Sequence, residues 1–350
     1  MSWLVSLFVL SALIFFHELG HYLAARAMGV FVEVFSIGFG KKLFSFHKWG
    51  TQWSISAIPL GGYVKMKGQD DSDPTNISLD ADSYTVKTPL QKIFILLAGP
   101  LANFALAFVL YFAIALGGPS ILSPVIGKVV DDSPAQKSGL QTNDTIKAIN
   151  GKEISSWKEM AEIIEKSDNS LYIEVHRDGL IKFLTLTPTY REATNMYNEV
   201  VQKKMIGIGS AGVSHKLELG LSETFAYASE QTVFASTLIF TGLQKLIIGD
   251  VPAKELGGVI SIVKLTSEAT DAGWMSVLFF AALISVNLGV LNLLPIPALD
   301  GGHIMFNFYE FISRRTPSQA VIMKLTIAGW VLLFSLMGLG LYNDINRLIG

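Results

Sequence analysis

No cysteine occurs among the 350 residues. That absence excludes disulfides, thiol catalysis, iron–sulfur clusters and any thiolate-ligated zinc. A metal site in this chain must therefore be built from His, Asp and Glu. Charge is also scarce: 16% of residues are charged, against about 25% in soluble globular domains. The deficit falls in blocks, which excludes an ordinary soluble enzyme. A net charge of -2 leaves no basic field, so a nucleic-acid partner is not expected.

Hydrophobic residues make up 50% of the chain and the mean hydropathy is +0.44. Residues 1–16 carry no charge, and the apolar character continues to Ala25. About 20 such residues cross a hydrocarbon core of about 30 Å. A cleaved signal peptide is the weaker reading, because neither a basic n-region nor an A-x-A-like site precedes His17. Ile93–Leu116, Met275–Leu294 and Leu325–Tyr342 are three further spans, giving a four-span helical membrane protein. Val233–Gly249 contains Gln244 and Lys245 and reads as an interfacial or partly inserted helix. Lys and Arg concentrate between spans one and two and between spans three and four. The positive-inside rule then places those connections in the cytoplasm and the N-terminus outside. The long segment 117–274 becomes extracytoplasmic.

Within it, Pro124–Pro188 changes to short strands and turns. Strands are expected at Ile126–Val130, Thr145–Asn150, Leu171–His176 and Phe183–Leu186, with helices at Ser133–Ser138 and Trp157–Lys166. This order, with Ser138-Gly139-Leu140 before Asn143-Asp144, resembles a circularly permuted PDZ domain. Such a domain holds a peptide carboxylate on backbone N–H groups, or it serves only as a spacer or steric gate. The expected division is a first membrane half (1–116), a PDZ-like α+β domain (124–189), an amphipathic linker (190–274) and a second membrane half (275–350). Gln69–Asp82 reads as a solvated acidic loop.

Two places concentrate chemistry. His17-Glu18-Leu19-Gly20-His21 is an H-E-x-x-H motif. On a helix its histidines share one face, so both can ligate one metal, while Glu18 can reach a water on that metal as general base. With 6 His, chance gives this motif roughly 0.004 times in such a chain. A carboxylate within an apolar span is a functional candidate by default. From Trp3 to His17 the rise is about 21 Å, which puts the histidines within the cytoplasmic half of the bilayer. The second place runs from Asn292 through Pro295, Pro297 and Asp300-Gly301-Gly302 to His303. Its prolines and glycines break regular helix, a backbone tolerated at membrane depth only around a site. Asp300 can supply the third ligand of a tetrahedral zinc. His303 is the rival, with hydrogen bonding behind the ligands or a helix start as its other role.

Together these residues resemble the site-two protease family of intramembrane zinc metalloproteases, in its bacterial regulator-of-sigma-E protease form. Gly38-Phe39-Gly40 and Gly61-Gly62-Tyr63-Val64 resemble its membrane-associated β-hairpin. Gly99-Pro100 with Asn103 resembles its second-span signature, and Val286-Asn287-Leu288-Gly289 also fits. The resemblance implies zinc on His17, His21 and Asp300, Glu18 as base, and Asn292, Pro295, Pro297 and Asn287 positioning substrate. It implies a multi-pass protein of the bacterial inner membrane acting on single-span membrane proteins. The substrates so implied are an anti-sigma factor at its second cut and remnant signal peptides. An unwound substrate would be held on the hairpin strands Glu33–Phe39 and Ser54–Ile58. Two features depart from the pattern: one PDZ unit where better-known members carry two, and Gly258-Val259 in place of Gly-Pro. A non-catalytic PDZ-bearing scaffold would leave the His-Glu-His spacing idle. A transporter would show more spans and paired repeats. Parity joins the two places: span three must run inward for Asp300 to meet the histidines, which four crossings allow and five do not.

Overall fold

The computed structural model describes residues 2–69, 78–195 and 199–349; most of the acidic loop 69–82 therefore lies outside the described residues. The chain divides into two compact units, Met1–Ile114 with Ser222–Gly350, and Ala115–Leu221.

The first unit opens with α1 (Ser2–Ala27), then β1 (Val32–Lys48), β2 (Thr51–Met66) and α2 (Pro89–Leu116). The hairpin is longer than the sequence suggests, and it bends back on itself. Val34, Phe35, Ser36 and Ile37 have partners on both flanks: Gln52, Trp53, Ser54 and Ile55 on one, Lys65, Val64, Tyr63 and Gly62 on the other. Glu33–Phe39 and Ser54–Ile58 therefore lie largely inside the sheet and offer no free edge. The bend leaves Lys42–Lys48 and Gly62–Met66 as the two outer segments. Phe35 stacks on Trp53 at 4.5 Å, and both rings meet Tyr22 of α1 edge-on. Val30, Val32, Phe35, Met66 and Ile95 are buried with Tyr22 and Ala25, which fixes the sheet to α1 and α2. Beyond Met66, Lys67 pairs with Asp80 at 2.8 Å and Asp82 at 2.7 Å. These bonds hold the Asp80 carboxyl below its usual range.

The second unit holds β3 (Ser120–Leu122), β4 (Ile126–Val129), α3 (Pro134–Ser138), β5 (Thr145–Ile149), β6 (Lys152–Glu153), α4 (Trp157–Lys166), β7 (Leu171–Arg177) and β8 (Leu180–Leu186). Apart from β3 and β6, which were not expected, these agree with the expected elements to within a residue or two at most ends. Four further strands follow: β9 (Thr189–Thr194), β10 (Val200–Met205), β11 (Ile208–Ser210) and β12 (Ser214–Lys216). β11 pairs with β4 and β12 with β3. The unit is thus wider than 124–189, and the first part of the supposed linker belongs to it. Its core gathers Ile126, Ile146, Ile149, Met160, Leu171, Ile173 and Ile206. Arg177 grips fully buried Asp144 with two bonds of 2.6 and 2.7 Å and also donates to the Gly139 carbonyl.

The first unit resumes with α5 (Leu221–Ile248), α6 (Val259–Asp271), α7 (Trp274–Asn292), α8 (Asp300–Ser313) and α9 (Gln319–Ile349). Five helices among the described residues are long and apolar enough to cross a membrane: α1, α2, α5, α7 and α9. Those five include α5, which contains the segment read as interfacial. Ala228 and Ala235 of α5 are buried with Ala107 and Tyr111 of α2 and Ala282 and Val286 of α7.

Helix directions follow from named contacts. Val9 and Leu13 of α1 pack with Ala281 and Ile284 of α7, and the residues that follow each meet at His17 and Asp300, so α1 and α7 run parallel. On α2, Asn103 meets Ser285 and Pro100 lies by Gly289, so α2 runs against α7. The chain between α2 and α7 therefore leaves and rejoins this trio at one end. Gly258 caps α6 against Gly340, where a Cβ would stand 2.7 Å from backbone. Val259 takes the first helical position, where proline's missing N–H would cost nothing. The Gly-Val variant thus keeps the turn that Gly-Pro would make.

Candidate metal centre

α1 and α2 approach closely because glycine faces the crossing on each. A Cβ on Gly20 would run into the Ala98 carbonyl and stand 2.8 Å from the Ala102 methyl; one on Gly99 would overlap the His21 imidazole. Gly20 is the fourth letter of H-E-L-G-H, so the motif's own glycine lets its helix approach α2.

At this crossing His21 Nδ1 lies 2.9 Å from the Ile95 carbonyl of α2. A carbonyl only accepts, so Nδ1–H donates and the Nε2 lone pair turns inward. His17 is held by Asn103, whose Nδ2 lies 3.1 Å from His17 Nδ1.

The third side chain arrives from the broken end of α7. Leu293 and Leu294 N–H groups bond back to Val290 and Leu291, and Leu299 bonds to Ile296. Ala298 takes φ +109°, unusual for a residue with a Cβ. A Cβ on Gly301 would overlap the Leu293 and Leu294 carbonyls, and one on Gly302 the Ile296 carbonyl. The paired glycines thus let α8 start directly on the turn, with Asp300 as its first residue. Gly329 of α9 closes on the Pro297 carbonyl with no room for a side chain.

The result is a convergence of three lone-pair atoms. Asp300 Oδ2 lies 3.3 Å from both His17 Nε2 and His21 Nε2, and the two Nε2 atoms are 3.2 Å apart. Ligands about 2.0–2.1 Å from a tetrahedral zinc stand about 3.3–3.4 Å from one another. Asp300 Oδ2 is buried and lacks a hydrogen-bond partner among the described residues. A buried carboxylate oxygen left in that state calls for a cation. The N₂O set fits zinc.

Glu18 is buried beside the cluster, within electrostatic reach of both histidines and Asp300. A Cβ on Gly62 would stand 2.9 Å from Glu18 Cγ, so the hairpin's outer segment runs along the same place. His303 is not part of the cluster, and its ring packs edge-on to Phe306. Asn292 ends α7 and Asn287 lies more than one turn earlier. Among the described residues no hydrogen bond joins either to the cluster. Pro295 lines a groove of about 490 Å³ with Ser236, Thr237 and Phe240 of α5 and Val290, Leu293 and Leu294.

The sequence reading assigned no role to Gly20, gave Gly99 and Asn103 only a signature, and missed the Ile95 carbonyl. Asn103 had a usable signal, as a lone amide amid apolar residues at membrane depth. A main-chain carbonyl carries none.

An H-E-x-x-H helix and an aspartate from a broken apolar helix meet at zinc-like spacing among membrane-type helices, a group that could hold a metal ion. The chain belongs to peptidase family M50, which it matches over residues 5–336. Related chains include a "Putative zinc metalloprotease" of Campylobacter jejuni subsp. jejuni, 48% identical over 100% of this chain and 94% of its own. Proteins with the same description occur in Helicobacter pylori strain J99, 41% identical over 99% of both chains, and in Clostridium acetobutylicum, 33% identical over 95% and 94%. The protein is thus a zinc-dependent metalloprotease, and with its apolar helices a multi-pass membrane protein. Those findings set aside the scaffold and transporter readings.

Proposed function

We propose that His17, His21 and Asp300 hold the zinc and that Glu18 is the general base for hydrolysis of a peptide bond within or near a substrate's transmembrane segment. The observation that carries this reading is the meeting of three lone-pair atoms at tetrahedral spacing, with a carboxylate buried beside them. Zinc, when bound, supplies Lewis-acid chemistry, acidifying water and polarising the scissile carbonyl. Glu18 takes the proton from the attacking water and returns it to the leaving nitrogen, so no net charge accumulates. A helical substrate keeps its carbonyls in intrahelical bonds and must unwind before attack. The outer segment from Gly62 to Val64, whose first residue lies beside Glu18, is where the unwound stretch would add as a strand. Asn292, Pro295, Pro297 and Asn287 position that stretch.

The direction of α1, α2 and α7 supports four net crossings, because any inward path along α5 must be reversed before α7 begins. With the basic connections inside, the N-terminus and the 115–221 unit lie outside and the metal centre lies toward the cytoplasm of an inner membrane. The substrates we infer are single-span proteins: an anti-sigma factor at its second cut in regulated intramembrane proteolysis, and remnant signal peptides. The PDZ-like unit then acts on which substrates enter.

Glu18→Gln tests the assignment. The amide keeps the size and removes the base, so zinc stoichiometry should stay at wild type while cleavage of a reporter membrane peptide falls at least 10²-fold. Full activity with zinc bound would remove Glu18 from the mechanism.

A further inference from the structure

Asn103 is fully buried on α2, and its amide faces His17, yet its Oδ1 has no hydrogen-bond partner. The side chain's nitrogen, not its oxygen, is placed against His17 Nδ1. An amide's O and N have nearly the same shape, and only the hydrogen-bond network tells them apart. The network here does. His17 Nε2 is the atom that meets Asp300 Oδ2 and His21 Nε2. An Nε2 that offers its lone pair inward leaves the ring proton on Nδ1, and that N–H requires an acceptor. His21 has one in the Ile95 carbonyl. His17 finds one only when the Asn103 amide is turned, and the turn pairs the orphaned oxygen with the ring N–H.

We propose that Asn103 is a positioning residue whose Oδ1 accepts from His17 Nδ1–H, fixing the tautomer and ring orientation that aim Nε2 at the metal. The proposal rests on His17 being a metal ligand. Its placement is built into the fold. Ser285 of α7 donates to the Asn103 backbone carbonyl at 2.8 Å, which pins this turn of α2 without using the amide. One residue of α2 thus ties α7 to the first histidine, as Ile95 ties α2 to the second. Acceptors behind ligating histidines raise ligand basicity, and losing one costs about 10–100-fold in metal affinity.

The test is a zinc competition titration on the full chain in detergent, reading occupancy against a chelator of known affinity. Four proteins are compared: wild type, Asn103→Ala, Asn103→Asp and His17→Ala. Asn103→Ala should shift the occupancy midpoint about 10–100-fold toward higher zinc while still filling to one equivalent. Refilling separates a weakened site from a misfolded one. Asn103→Asp is purely an acceptor when ionised, and should hold zinc at least as tightly as wild type. A wild-type midpoint in Asn103→Ala would overturn the proposal. So would a loss in Asn103→Asp as large as in Asn103→Ala, because it would show that the donor or the shape matters instead. His17→Ala keeps the two failures apart. Undiminished zinc in that variant refutes His17 as ligand, whereas loss of zinc there beside an unshifted Asn103→Ala refutes Asn103 alone.

Discussion

Asp300 and His303 lie three residues apart at the start of α8, yet only Asp300 reaches the two histidines. The reason is the broken helix before them: the turn through Ala298 presents the first residue of α8 to α1, while His303 turns toward Phe306. Asp300→Asn should therefore lower zinc stoichiometry sharply, because a carboxylate ligand is replaced by a neutral amide. His303→Ala should leave at least half the sites filled in the same metal analysis. The reverse pattern would transfer the ligand role to His303. Sequence left that choice open because both side chains are chemically fit to bind zinc and share one short loop. What decides it is the backbone at residues 298–302, and no periodicity encodes that. His17, Glu18 and His21, by contrast, were readable because a helix carries their spacing directly into space.

Among elements, the α1–α2 crossing is a demanding fit, and glycine makes it possible from both sides. Adding a methyl at Gly20 places it against the Ala98 carbonyl, a backbone atom that cannot swing aside. Gly20→Ala should therefore destabilise by about 1–3 kcal/mol, the range for overpacking, and should separate His21 from α2. The measurement is a thermal melt in detergent paired with zinc content, and both should fall. Gly338 of α9 is the control, since nothing lies within 4 Å of an added Cβ there. Gly338→Ala should leave zinc unchanged and raise stability by up to about 1 kcal/mol through helix propensity. If the two alanines behaved alike, the close crossing would not be what holds the site. Apolar spans were legible from hydropathy, but which faces meet was not, because helices apolar on all sides show no stripe to mark a partner. The hairpin shows the same limit. Its two strands were expected only from the family resemblance, and the sharp bends that fold β1 and β2 into a broader sheet depend on long-range pairing.

At the scale of the whole molecule, the 115–221 unit is a self-contained insertion. Its core draws on its own residues, and its two ends zip together where β3 pairs with β12 and Leu217 N–H bonds to the Pro119 carbonyl. Entry and exit are thus neighbours, so residues 120–216 can be replaced by a short flexible linker without stretching α2 from α5. The backbone N–H groups at 139–140 are already committed. Gly139 N–H bonds to the Gln136 carbonyl and Leu140 N–H to that of Ala135, each at 3.0 Å, as the end of α3. A size gate needs no carboxylate captured at 138–140, and Gly139→Val should act through folding, its φ of +86° being strained for any side chain with a Cβ. Excising 120–216 should preserve zinc content, because His17, His21 and Asp300 and the packing around them belong to the other unit. It should also permit cutting of a single-span substrate that still carries a bulky folded ectodomain, whereas the intact protein should cut that substrate only after the ectodomain is trimmed. The readout is the cleavage ratio of trimmed to untrimmed substrate in reconstituted vesicles, expected to fall toward one on excision. A deletion protein that holds its zinc, cuts trimmed substrate normally and still refuses the untrimmed form would show that selection by size resides in the membrane helices instead.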